Sequence, residues 1–84
     1  MKFVLQFEKG ALRDLKKLDK PTAIRMVQKI QDVAERGCGF EPLTNLRYGW
    51  KIRVGTYRAL CDIDFDNKII RVHVVGHRRD IYRK

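Results

Sequence analysis

The hydrophobic rhythm of the chain changes twice. In MKFVLQF, Phe3, Leu5 and Phe7 alternate with Lys2, Val4 and Gln6, the period of two expected of a half-buried strand. In EKGALRDLKKL the spacing becomes helical. Ala11, Leu12, Leu15 and Leu18 share one face while Arg13, Lys16 and Lys17 lie elsewhere on the wheel, which predicts an amphipathic helix of about three turns. Pro21 cannot continue that helix but suits the start of another, and Asp19 can cap nearby amides. A second helix is predicted from about Pro21 to Arg36 with the stripe Ile24, Val27, Ile30, Val33 and Ala34, and Gly37 is a natural left-handed stop.

After Pro42 the period returns to two. LTNLRYG reads as a short strand or loop. WKIRV alternates strictly, GT is a hairpin turn of the Gly-X type, and YRALCDIDF runs back. DN supplies the next tight turn and KIIRVHVVGH is the last strand. These three strands make an antiparallel meander, and the first strand joins them. The expected fold is α+β: two N-terminal helices packed on one face of a small, mainly antiparallel four-stranded sheet, a single domain over residues 1–84.

Alternation also assigns faces. Trp50, Ile52 and Val54, then Tyr57, Ala59, Cys61 and Ile63, then Ile70, Val72 and Val74 form the apolar set. The opposite face then carries Lys51, Arg53, Arg58, Arg71 and His73, and the tail VGHRRDIYRK begins at its edge.

Charge sharpens this picture. The 84 residues carry a net +9 and the pI is about 10.0. Residues 1–42 hold nine basic and six acidic residues, and residues 43–84 hold ten and four. Cations on an open antiparallel face are often simply solvated. A pI this high also fits a polyanion partner, and the second half is its better seat. No apolar run is long enough for a bilayer, and no secretory pattern opens the chain. Cys38 and Cys61 sit in no metal or redox spacing and read as reduced residues of a cytoplasmic protein.

Most catalytic chemistries find no residues here. His73 and His77 would be separated by roughly 13 Å on a strand, too far for one metal ion. Asp66 reads as a turn residue and Asp62 as an ion-pair partner on a basic sheet. There is no phosphate-cradling Gly-rich loop and no Ser/His/Asp constellation. Metal-free RNA cleavage remains, because RNA supplies its own nucleophile, the 2′-hydroxyl. The protein then needs a proton acceptor, a proton donor and cations around the phosphorane.

Three segments, LKKLDK, WKIRVGTYRALCDID and VHVVGHRRDIY, resemble the RelE branch of the RelE/ParE toxin superfamily, the mRNA interferases of type II toxin–antitoxin systems. The resemblance spans essentially the whole chain, and the RVGTYR hairpin and the VGHRRDIY tail are its most specific parts. It implies a RelE-like fold and a ribosome-dependent endoribonuclease that cuts mRNA in the decoding (A) site without metal or cofactor. It also implies contact with small-subunit rRNA and neutralisation by a cognate antitoxin. Carried over by position, Lys51, Arg53 and Arg58 would hold the scissile phosphate, Arg78 would assist the leaving 5′-oxygen, and Tyr82 would help activate the 2′-hydroxyl. Arg71, His73, His77 and Arg79 are the further RNA contacts expected, with His77 able to share proton transfer. The chain departs from the best-known pattern at Arg53, where lysine is usual, and in a shorter stretch between Arg78 and Tyr82. The alternatives are a ParE-like inhibitor of DNA gyrase without nuclease chemistry and an inactive, antitoxin-binding homologue.

Overall fold

The chain runs β1 (Val4–Phe7), α1 (Lys9–Lys17), α2 (Lys20–Arg36), β2 (Glu41–Pro42), β3 (Trp50–Val54), β4 (Tyr57–Asp64), β5 (Ile69–His77) and α3 (Arg78–Ile81). A computed structural model describes residues 2–44 and 47–81. The strands form one sheet in the order β1-β5-β4-β3-β2. β3, β4 and β5 are the expected antiparallel meander, and β1 adds to β5 in parallel. The sheet has five strands rather than four because Glu41 and Pro42 pair with Lys51 and Trp50. That short strand lies just ahead of LTNLRYG, where the sequence placed a strand or loop.

Local chemistry sets the boundaries. Asp19 caps α2 by accepting the Thr22 amide at 3.2 Å, and hydrogen bonding from the Thr22 side chain and then its amide holds the Asp19 carboxyl below its ordinary range. Gly37 ends α2 at φ 73°, the left-handed stop. Gly55 has φ 61° at the first central position of the β3–β4 turn, as a Gly-X hairpin requires. The β4–β5 turn differs from the reading of DN as a two-residue turn. It spans residues 65–68, and the positive φ falls on Lys68. Asp64 organises it by accepting from both the backbone and side-chain nitrogens of Asn67.

Both helices cover one sheet face. Met26, Ile30, Val33 and Ala34 of α2 and Ala11 of α1 are buried against Ile52, Ala59, Cys61, Ile70 and Val72. The buried stripe of α2 is therefore centred on Met26, Ile30 and Val33, spaced four and three apart. Ile24 falls off that stripe and is 49% exposed, and Leu12 of α1 is likewise exposed. Phe3, Phe40, Trp50 and Phe65 close one end of the core in edge-to-face pairs. The Cys61 thiol, pushed up to about 12 by burial and then by Asp62, is an inert core group.

Strict alternation fails at one point in β5. Cys61 pairs with Val72 and Leu60 with Val74, so His73 is an extra residue and the strand bulges. A bulge reverses the facing of everything after it. Val75, not Val74, joins the helix-side core. Val74 turns to the second face, where Leu60, Val74 and Ile81 form a separate small cluster with Leu43 and Tyr48.

Helix α1 supports the bulge. The Asp14 carboxylate accepts the Val75 amide at 3.0 Å. Gly10 lets the helix come close, since a Cβ there would lie 3.1 Å from the His73 carbonyl oxygen. Because Val75 is only 1% exposed, Asp14→Ala strands a buried donor. Urea denaturation should show a loss of about 1–3 kcal/mol, with Asp14→Asn losing less because its side-chain oxygen still accepts. Wild-type stability in Asp14→Ala would mean that the bulge does not depend on this bond.

Candidate active site

The β3–β4 hairpin gathers the basic residues that the sequence singled out. Lys51 and Arg53 lie on the same side of β3, away from the helices, and Arg58 stands directly across from Arg53 on β4. Like charges facing each other across strands are destabilising unless something offsets them. Arg53 is offset by Glu41 of β2, whose carboxylate lies 3.0 Å from its guanidinium. Arg58 folds back onto its own hairpin, one nitrogen donating at 2.8 Å to the carbonyls of Gly55 and Tyr57. Those two bonds hold the guanidinium at the hairpin end in a defined orientation.

The tail is tied to the same place. The Arg78 amide donates to the Thr56 carbonyl at 2.8 Å, which starts α3 on the β3–β4 turn. The Arg78 side chain is exposed there. Ile81, fully buried, turns the tail back onto the second face, near Gly76. Tyr82, the aromatic member of the expected set, lies outside the described residues.

The family described as "ParE toxin of type II toxin-antitoxin system, parDE" matches residues 5–82. The chain belongs to the ParE toxin family. It is thus a toxin of the RelE/ParE superfamily of type II toxin–antitoxin systems. Among solved structures it is similar to the toxin–antitoxin complex RelBE2 of Mycobacterium tuberculosis, with 30% identity over 95% of both chains and a TM-score of 0.82. A free RelE mutant of Escherichia coli matches at 22% identity over 92% of this chain and 84% of that one, TM-score 0.75. The RelB–RelE complex of Methanococcus jannaschii matches at 24% identity over 93% and 95%, TM-score 0.67. The last two likenesses speak to the fold alone. No curated protein sequence matches the chain.

In this ParE-family toxin the second face is not one continuous basic field, as alternation suggested. The cluster of Leu43, Tyr48, Leu60, Val74 and Ile81 divides it. Beyond that divide Asp62 binds both Arg71, at 3.5 Å, and the His73 ring, at 2.5 Å. Tyr48 stacks on the His73 ring at 4.8 Å. Asp62 thus plays the ion-pair role read from the sequence, and Arg71 and His73 stand apart from Lys51, Arg53 and Arg58. The bulge sends His77 to the helix side, where its ring packs edge-to-face on Tyr57 at 5.3 Å. Its Nδ1 accepts the Arg79 amide at 3.1 Å, so the neutral ring carries its proton on Nε2. Arg79 itself is exposed on α3.

Sequence reasoning missed Glu41. Only the β2–β3 register, which sets Glu41 opposite Lys51 and within reach of Arg53, places a proton acceptor among the cations. Among the described residues no group of three or more His, Cys, Asp or Glu side chains is arranged to hold a metal ion. No helix among them is long and apolar enough to cross a membrane.

Proposed function

We propose that this toxin is a ribosome-dependent endoribonuclease that cuts mRNA in the decoding site by attack of the RNA's own 2′-hydroxyl. The observation that carries the reading is one carboxylate set among three cations: Glu41 beside Arg53 and opposite Lys51, with Arg58 across the hairpin. Glu41 takes the 2′-hydroxyl proton as the O2′–P bond forms. Lys51, Arg53 and Arg58 stabilise the charge on the non-bridging oxygens of the phosphorane. The P–O5′ bond breaks beside Arg78 and the 5′-oxygen is protonated from solvent, leaving a 2′,3′-cyclic phosphate and a 5′-hydroxyl. Tyr82, by resemblance, helps activate the attacking hydroxyl. The Arg53–Glu41 pair is half-exposed, and such surface pairs are worth little. Arginine can therefore exchange its carboxylate for a phosphate as RNA arrives.

In this reading Arg71, His73, His77 and Arg79 contact RNA around the site and the toxin works in the cytoplasm. Its protein partner is a cognate antitoxin, as in the RelBE complexes it resembles. An acidic antitoxin segment complements a net charge of +9. A second reading rests on the ParE name of the matching family: inhibition of DNA gyrase by binding alone.

Primer extension on an mRNA in a purified translation system separates the two. Cuts inside the decoding-site codon only when ribosomes are present are expected. No cuts in either condition, with gyrase supercoiling blocked by the same preparation, would establish the gyrase reading instead.

A further inference from the structure

Where α1, β4, β5 and α3 meet, a cavity of about 240 Å³ opens on the helix side of the sheet end. Tyr57 and His77 form two of its walls, with rings 5.3 Å apart and inclined at 76°. A flat ligand stacked on one ring therefore presents its own edge to the other. Leu18 and Val75 supply apolar surface, Asp14 and Asp80 carboxylates, and Lys17 a cation, with Asp14 already accepting the Val75 amide. The arrangement follows from the bulge at His73, which turns Val75 and His77 to this side.

We propose that this cavity is a nucleobase pocket that takes guanine, and that it sets the base preference of the nuclease site. The proposal rests on the nuclease reading above and names its specificity element. Size comes first: about 240 Å³ is just under the roughly 300–1,000 Å³ of pockets for drug-sized ligands, so it suits one heterocycle. Bases splayed from single-stranded RNA are commonly held by stacking on aromatic side chains and by hydrogen bonds to their edges.

Sequence adjacency supplies the link to the scissile phosphate. Tyr57 precedes Arg58 and His77 precedes Arg78. Each aromatic wall is thus followed by a residue directed at phosphate, with the strand alternation turning Tyr57 and Arg58 to opposite faces at one sheet end. A nucleotide whose phosphate meets Arg58 and Arg78 can pass its base around that end into the pocket.

Hydrogen-bond chemistry selects the base. A carboxylate only accepts. Guanine alone presents two donors side by side, N1–H and N2–H₂, matched to the two oxygens of Asp80. Adenine and cytosine present one amino donor beside an acceptor, and uracil one imide donor between acceptors. His77 adds a donor, because the Arg79 amide on Nδ1 leaves the ring proton on Nε2. A cationic side chain from a protein partner is the competing occupant. The net charge of +9 opposes it and does not oppose a neutral base carried on an anionic strand.

The test is an NMR titration of the full chain with 5′-GMP, 5′-AMP, 5′-CMP, 5′-UMP and N-acetylarginine amide. The readouts are the Val75 and Gly76 amides and the His77 ring. GMP should move these signals and bind about tenfold more tightly than CMP, and Asp80→Asn, a surface change, should erase that preference. Equal response to all four nucleotides, shifts confined to Arg58 and Arg78, or a pocket that answers acetylarginine amide and not GMP would each overturn the proposal. Primer extension reads the cleavage separately. Selective GMP uptake without mRNA cuts would remove the nuclease reading and leave the pocket standing.

Discussion

Replacing Arg58 with alanine is expected to lower ribosome-dependent mRNA cleavage by about 10²–10³-fold, the usual cost of removing one preorganised group from developing negative charge. Two hydrogen bonds to the Gly55 and Tyr57 carbonyls hold the guanidinium at the hairpin end before any RNA arrives. A cation fixed in advance need not be reorganised as the phosphorane forms. The remaining guanidinium nitrogens stay available for non-bridging oxygens. Arg58→Lys should fall between wild type and alanine, because an ammonium keeps the charge but loses the planar fork that bonds carbonyls and phosphate together. Thermal melting should change little, since Arg58 packs in neither hydrophobic cluster. Single-turnover cleavage on programmed ribosomes, with a melting curve for each variant, is the measurement. An alanine variant that is folded and fully active would remove Arg58 from the site.

Much of the architecture was legible because local chemistry and pattern agreed. Asp19, Pro21 and Gly37 mark the limits of α2 in the sequence and in the fold alike. The Gly55–Thr56 turn fixes the register that sets Arg53 against Arg58. The β5 faces were misread for a reason no periodicity reveals. The bulge at His73 is supported from outside the strand, by Asp14 on α1 and by the closeness that Gly10 permits. One inserted residue moved Val74 to the second face and His77 to the helix side, and with them the boundary between the basic site and the aromatic pocket. Asp62 does pair on the open face, with Arg71 and His73, but the apolar cluster under Ile81 separates them from Lys51 and Arg53, with which alternation had grouped them. In α2 a simple list of apolar residues favoured Ile24, while the sheet selected Met26. Tyr82 was carried over from the tail motif and lies outside the described residues.

Glutamine in place of Glu41 should slow cleavage by about 10²–10⁴-fold, the range attributed to a well-placed general base. Lys51, Arg53, Arg58 and Arg78 are all cations, and arginine cannot give up its proton at ordinary pH. A set made only of such groups stabilises a phosphorane but accepts no proton. Glu41 supplies the acceptor, because β2 pairs with β3 and brings its carboxylate to Arg53. Glutamine has nearly the same shape and keeps an oxygen for Arg53, so the ion-pair partner is changed far less than the basicity. Chemistry and binding separate the roles. A general base acts on the chemical step, so Glu41→Gln should lower the single-turnover rate on programmed ribosomes while leaving ribosome affinity and melting unchanged. A merely structural Glu41 would alter melting or ribosome affinity instead. If the variant cleaves within about threefold of wild type, the proton goes elsewhere, and His77→Gln and Tyr82→Phe become the variants that decide where.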